Sequence, residues 1–438
     1  MKNKIFILSL VALGTLQASV LFPSSAYELA LENNNAIKSS TLQLEATKEG
    51  LNQWISKYYP QINATIDYNN FDYELNEYSL SADKDRAETS LDYSVSLQQS
   101  LINHETNSKI KLEKQRINIA EIKLQRQKQE LSQEVFQSYM QAMNSQNKIE
   151  LLSAYLNYNE QKLEAVDKRF ELTISSKMDL LQSQVEVSRS KIDLLKEQKL
   201  LQTYLLKLKQ LTNAEAIELP KIDFENFEIS SLLQKQDLLN NKEIYLQNNL
   251  EYLQSNETVE LLNLEVINAK SAHYPKLDFD ARYTKYDSDS DTTDYENSMR
   301  WSIKLQIPLY TGGYTSSKIK TTQLNQKATY EDLEVVKKDL TLRYDELVSL
   351  LNTSIQGVDV YKEALISAKS YLEFITQGYD NGLKSSIDLY EAQSKVFEIR
   401  YEYVQNIQEF IKVYVDYLIL NNDIEKLTKI DDIIKKSY

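Results

Sequence analysis

The feature that most constrains this chain is that it is written twice. Ser108-Lys109-Ile110-Lys111 returns as Ser317-Lys318-Ile319-Lys320, an offset of 209 residues. At the same offset Ser176, Asp179, Leu180, Gln184 and Val187 return as Ser385, Asp388, Leu389, Gln393 and Val396. Further upstream in each copy, Tyr58-Tyr59-Pro60-Gln61-Ile62 is matched by His273-Tyr274-Pro275-Lys276-Leu277. A duplicated sequence builds the same supersecondary unit twice.

Each Tyr-Pro signature ends a helical stretch and opens an alternating one, because proline cannot continue a helix. Ile62, Ala64, Ile66 and Tyr68 oppose Asn63, Thr65, Asp67 and Asn69, and a second strand sets Leu91, Tyr93, Val95 and Leu97 against polar neighbours. In the other copy Leu277, Phe279, Ala281 and Tyr283 form one apolar face, and Met299, Trp301, Ile303, Leu305 and Ile307 the next. Four strands are expected, over about 60–75, 89–101, 275–286 and 298–309, with polar hairpin loops at Asp83 to Arg86 and Asp287 to Glu296. Two-faced strands of about ten residues suit a transmembrane barrel. A soluble sandwich alternates in the same way. Four strands cannot close around a channel, whereas three chains of four could.

After short turns at Leu101-Ile102-Asn103 and at Pro308 to Gly313, Glu-, Gln-, Lys-, Leu- and Ala-rich sequence runs to Phe170 and to Gln377 without proline. Each run predicts about 65 helical residues and ~100 Å of rise. Asn381-Gly382 is a helix stop, and Ser176 and Ser385, each with Asp three residues on, start new helices. Each half therefore reads as two strands and a helical hairpin, the first over 19–212 and the second over 236–426. Residues 213–235, with Pro220, form a linker or equatorial segment, and 427–438 a C-terminal tail. Long amphipathic helices alone would also fit a coiled-coil zipper.

Lys2 and Lys4 before the apolar run Ile5 to Leu16, closed by Gln17-Ala18-Ser19, read as a secretory signal over 1–18 with cleavage after Ala18. That run is shorter than the ~20 residues of a spanning helix. The best later run, Val413 to Leu420, is broken by Asp416, so any membrane entry is expected as a barrel. Cysteine is absent, and His104 and His273 are the only histidines. With no thiol, no histidine cluster and no phosphate loop, no catalytic, metal or cofactor site is expected, and the chain does not read as an enzyme. A net charge of −14 argues against nucleic acid as a partner.

Taken in order and in duplicate, three sets of residues carry a resemblance: the Tyr-Pro strand openings, Leu305-Gln306-Ile307-Pro308-Leu309-Tyr310-Thr311-Gly312-Gly313, and Gly378-Tyr379-Asp380-Asn381-Gly382-Leu383 leading to Ile387-Asp388-Leu389-Tyr390-Glu391-Ala392. Together they resemble the TolC-like outer-membrane efflux duct family, the outer-membrane factors, over nearly the whole mature chain. The resemblance implies a mainly α fold with a β-barrel part. Three chains would make a 12-strand membrane β-barrel continuous with a periplasmic α-helical barrel. It implies a homotrimer in outer-membrane lipid, with most of the chain in the periplasm. The partners implied are a periplasmic adaptor, or membrane fusion, protein and an inner-membrane pump of RND or ABC type. The chain would be a passive exit duct for efflux or type I secretion.

The resemblance also assigns residues. Asp388 and Glu391 match a pair of acidic residues at the family's pore constriction; spacing of three puts both on one helix face, and crowding in a trimer is expected to raise their pKa values or attract cations. Taken alone, such a pair is a solvated face. Tyr379, Lys384 and Asp179 match a latch of the closed state. Lysine stands where arginine is frequent, and Asp179 also fits a plain helix-start carboxylate. Adaptor docking falls at the hairpin tips, Leu172-Thr173-Ile174 and Asn381-Gly382-Leu383. Because threonine does not take a left-handed turn cheaply, the first tip is expected to be shaped differently from the second or docked differently. The competing reading is a periplasmic coiled-coil adaptor or another structural interaction protein of an export complex, and a periplasmic hydrolase would need a catalytic set that is not found. The cargo is not legible.

Overall fold

A computed structural model describes residues 20–74, 85–214, 216–221, 242–288 and 297–437. The expected signal peptide, parts of both hairpin loops and most of the linker lie outside the described residues. The elements run α1 (Pro23–Asn33), α2 (Asn35–Ile55), β1 (Gln61–Glu74), β2 (Asp85–Asn103), α3 (His104–Glu171), α4 (Lys177–Thr212), α5 (Lys242–Asn248), α6 (Leu250–Ser271), β3 (Lys276–Ser288), β4 (Asn297–Gln306), α7 (Tyr314–Asp380), α8 (Ser386–Leu420) and α9 (Thr428–Ser437). The helical stretches expected before each Tyr-Pro signature are α2 and α6.

The chain divides into two compact units, one of Met1–Ile37, Arg126–Asn249 and Leu340–Tyr438, the other of Lys38–Gln125 and Leu250–Asp339. The second unit holds the strands, all in one antiparallel sheet of order β1-β2-β3-β4, so the two copies sit side by side and β1 and β4 are the terminal strands. Apolar partners face each other across it, as in Ile62 with Leu97, Ile66 with Tyr93, Phe279 with Ile303 and Ala281 with Trp301. The register shifts once, between Ser100 and Ile102.

Burial is inverted at the middle of the two central strands. Ser94 and Thr284 on the polar face are buried, at 7% and 8% exposure, while their neighbours Tyr93, Val95 and Tyr283 are exposed, as are Ile62 and Ile66 on β1. A soluble sandwich covers its apolar side chains. Here Ser94 and Thr284 are covered instead, and Ser94 shares a 3.1 Å hydrogen bond with the exposed Thr65. Polar contacts hold this unit together, among them Ser108 Oγ of α3 donating to Asn268 Oδ1 of α6 at 2.8 Å, and Lys276 at the start of β3 paired with Glu105 of α3 at 2.7 Å.

The first unit has an apolar core. Leu131, Val135, Phe136, Tyr139, Met140 and Met143 of α3, and Tyr403, Ile407, Phe410, Ile411, Tyr414 and Leu418 of α8, are buried at three- and four-residue spacing. Tyr245 stacks obliquely on Tyr344 at 4.8 Å. Residues 427–438, read as a tail, include the docked helix α9, with Leu427, Ile430 and Ile434 buried. Asp431 on that helix accepts from the Ser24 amide and hydroxyl at the start of α1. Among the described residues no helix is long and apolar enough to cross a membrane, a finding that does not bear on a barrel.

Candidate functional site at the hairpin ends

Both hairpin tips lie in the first unit and share one backbone design. Helix α3 ends through Thr173 N donating to Phe170 O at 2.9 Å and Ile174 N to Arg169 O at 2.7 Å. Helix α7 ends through Gly382 N to Tyr379 O and Leu383 N to Gly378 O at the same two lengths. The turn residues have φ +59° at Thr173 and +72° at Gly382. The two tips therefore have the same backbone shape, and of the two expectations for the first tip a different docking is the one left. Thr173 accepts the left-handed conformation that glycine takes freely, because the carbonyls closing α3 need the same donors as those closing α7. Leu172, Ile174 and Leu383 are exposed at the tips, as are Thr173, Asn381 and Gly382.

The next helix in each copy begins with a capping box. Ser176 Oγ accepts from Asp179 N at 3.1 Å, and Asp179 Oδ2 accepts from Ser176 N at 3.0 Å and from its hydroxyl at 2.8 Å. Ser385 and Asp388 repeat this, with 3.2, 2.8 and 2.8 Å. In one chain both carboxylates are held below the usual range. The Ser176 hydroxyl is the main cause for Asp179, and the Ser385 amide for Asp388. Within one chain these donors stabilise the charged form of Asp388.

Each cap also has a nearby cation, Arg169 for Asp179 and Lys384 for Asp388. The cation sits before the turn in one copy and after it in the other, where Gly378 makes room: a Cβ on Gly378 would lie 2.7 Å from Lys384 Cγ. Among the described residues of one chain no hydrogen bond joins Asp179 to Tyr379 or Lys384. Tyr379 is exposed at the end of α7.

Glu391 is exposed one turn beyond Asp388. Behind this turn lies an aromatic cluster that the sequence reading missed. Tyr158 meets Tyr390 edge-on at 5.2 Å and stacks with Tyr155 at 5.9 Å, and Tyr155 meets Phe397 at 6.3 Å. Burial, followed by Tyr155 and Glu186, pushes the Tyr158 hydroxyl up. The available signal was the i, i+3 pair Tyr155 and Tyr158 on α3 with the i, i+7 pair Tyr390 and Phe397 on α8. This packing fixes α8 against α3 and so sets the direction in which Asp388 and Glu391 project. No group of acidic and histidine side chains among the described residues could hold a metal ion.

A sheet with its apolar side bare, joined to paired long helices in duplicate, defines a class of outer-membrane export channel. The sequence matches the outer membrane efflux protein family over residues 26–214 and 243–409, and the chain belongs to that family. Outer membrane protein TolC of Vibrio cholerae serotype O1 is 26% identical over 411 residues, covering 90% of this chain and 91% of that one. Alkaline protease secretion protein AprF of Pseudomonas aeruginosa is 21% identical over 399 residues, covering 90% and 81%. Among solved structures, CusC superposes with a TM-score of 0.77 at 15% identity, covering 91% of both chains. The outer membrane protein VceC of Vibrio cholerae gives 0.76 at 14%, covering 91% and 95%. The chain is an outer-membrane protein of the export-duct type, and the adaptor reading is not favoured.

Proposed function

We propose that this chain is the passive exit duct of a tripartite efflux or type I secretion system, working as a homotrimer. The carrying observation is the inverted sheet: Ile62 and Ile66 are bare while Ser94 and Thr284 are covered. Lipid outside and water inside is the setting in which that arrangement costs least. A four-stranded sheet is too narrow to close alone, and three copies give twelve strands. The helical hairpins then form the periplasmic tunnel, and their tips are where an adaptor protein, and through it an inner-membrane RND or ABC pump, engages Leu172, Thr173, Ile174, Asn381, Gly382 and Leu383.

In this reading Asp388 and Glu391 form two stacked acidic rings where the tunnel narrows, and three copies of each gather six carboxylates. A multivalent cation gains far more there than in bulk water. The Asp179, Tyr379 and Lys384 latch then forms between neighbouring copies, in competition with the caps.

The test is single-channel recording of the purified trimer in planar bilayers. Submillimolar trivalent cation on the tip side is expected to block the parent. Asp388→Asn with Glu391→Gln, which keeps an acceptor for the Ser385 amide, is expected to remove the block. A double variant that blocks as well as the parent would place these carboxylates away from the constriction.

A further inference from the structure

The polar face of the sheet carries one pairing that strand chemistry disfavours. Arg282 of β3 stands directly opposite Arg300 of β4, and both side chains are exposed. Cβ atoms so placed are about 5 Å apart, where like charges repel and opposite charges attract. The same two strands obey that rule four residues further along β3, where Asp278 faces Lys304. Neither arginine has an ion pair among the described residues, although Asp280 lies two residues along β3 on the same face.

The duplication shows that the fold does not require this charge. Seven residues after Pro60 stands Asp67, opposite Asp92; seven residues after Pro275 stands Arg282, opposite Arg300. The same step of the repeated hairpin is doubly acidic in the first copy and doubly basic in the second. The acidic pair does not neutralise the basic one. Ser96 is the β2 residue beside Arg282, and Asp92 lies four residues away along β2. That is ~13 Å of strand, beyond the ~8–10 Å over which exposed charges act at physiological salt.

The side chains select the ligand. A guanidinium is a planar fork that binds two oxygens of a phosphate or carboxylate at once, and two forks side by side suit a ligand with several such oxygens. Hydroxyls flank them on the same face, Ser96 beside Arg282 and, one step along, Thr284 opposite Ser298. A cation is repelled there, and a lipid phosphate would have to reach the face opposite the apolar one. Strands β3 and β4 join the helices at the Lys276 and Gln306 end, and their pairing runs to Lys285 and Asn297 at the other. Arg282 is three residues, or ~10 Å, from that second end, so the pair is reached first from the loop side.

We propose that Arg282 and Arg300 form an oxyanion-binding site on the water face of the sheet, taking multivalent phosphate-type anions from the loop side. This rests on the trimeric-duct reading, in which three copies set six guanidinium groups around the lumen. A duct whose tip end favours cations then carries, toward its loop end, a ring of the opposite sign.

Inorganic tripolyphosphate is the probe, used with the purified full-length protein at constant ionic strength and without divalent cations. Submillimolar probe on the loop side is expected to reduce single-channel current, and the same concentration on the tip side to leave it unchanged. Arg282→Gln with Arg300→Gln is expected to raise the half-blocking concentration by about tenfold or more, as the loss of a charge-assisted hydrogen bond does. Block by trivalent cation from the tip side should persist in that variant. Should the double variant fail to assemble, Arg300→Gln alone is measured in the same way. The probe should also raise the thermal midpoint of the parent, by relieving the repulsion between the two arginines, and leave that of the variant unmoved; this reads the site without a channel. A variant blocked as readily as the parent, or a parent midpoint indifferent to the probe, overturns the proposal. A midpoint shift that the variant loses, with no block from either side, keeps the anion site and removes its placement in the lumen. Protein that conducts no ions at all would sink the duct reading instead, with the midpoint still deciding the site.

Discussion

Thr173→Gly should tighten the first hairpin tip, and Gly382→Thr should loosen the second. Thr173 stands at φ +59° with its hydroxyl donating to Leu172 O at 2.7 Å, in the same turn that Gly382 makes at φ +72°. A side chain in that region costs about 1–2 kcal/mol. Glycine returns about 0.5–1 kcal/mol of that through the greater freedom of its unfolded chain. The exposed hydroxyl bond adds little, since water replaces it. The difference is about 0.5–1 kcal/mol in favour of glycine at either tip, or roughly a two- to fivefold change in local opening. Melting of the whole chain would dilute so small a local effect. Amide exchange at Ile174 and Leu383, which donate to Arg169 O and Gly378 O, reads the tips directly. Slower exchange at Ile174 in Thr173→Gly and faster exchange at Leu383 in Gly382→Thr are expected. Faster exchange at Ile174 in the glycine variant would mean that the threonine side chain holds this turn, and the strain argument would fail.

Other outcomes are open to measurement. Burial, against the hydrogen bond from Gln133, raises the pKa of Asp416, so the folded chain binds that proton more tightly than the unfolded chain, and stability falls as pH rises through the folded value. Asp416→Asn should raise the melting temperature at neutral pH, with no gain below the ordinary carboxylate range; equal gains at both would exclude the charge as the cause. Asp179 and Asp388 have the opposite sign: their stabilisation is present above the ordinary value of 3.8 and is lost as pH falls through the lower folded value, read as faster exchange in the first turns of α4 and α8. Phe410→Ala, at a fully buried position, should cost about 3–5 kcal/mol, seen as an earlier chemical unfolding midpoint. Tyr379→Phe with Lys384→Ala should raise single-channel conductance, and an unchanged value would leave Asp179 as a helix cap alone.

The periodic features were legible in sequence because pattern and packing agree over many residues. Ile62 to Tyr68 and Met299 to Leu305 alternate, and the structure pairs them in register. Ser176 and Ser385, each with its aspartate three residues on, announced two capping boxes that the structure contains. The backbone shape at Thr173 was not legible, because propensity speaks only for the isolated residue, while the carbonyls of α3 impose a left-handed turn on whichever residue arrives there. The tail reading of 427–438 failed to foresee α9 because its partners, Ser24 among them, lie about four hundred residues away. The cluster of Tyr155, Tyr158, Tyr390 and Phe397 was hidden for a related reason: aromatic residues at helical spacing indicate burial without naming the other helix.

The order β1-β2-β3-β4 leaves two terminal strands, and lipid offers no hydrogen bonds to the outward groups of either. Each such group would cost several kcal/mol in hydrocarbon, so a lone chain has no stable way to sit in the bilayer. Insertion and assembly become one event. The rate at which newly exported chains enter the membrane should therefore rise more steeply than linearly with their periplasmic concentration, and a shortage of chains should leave them waiting in water rather than half inserted.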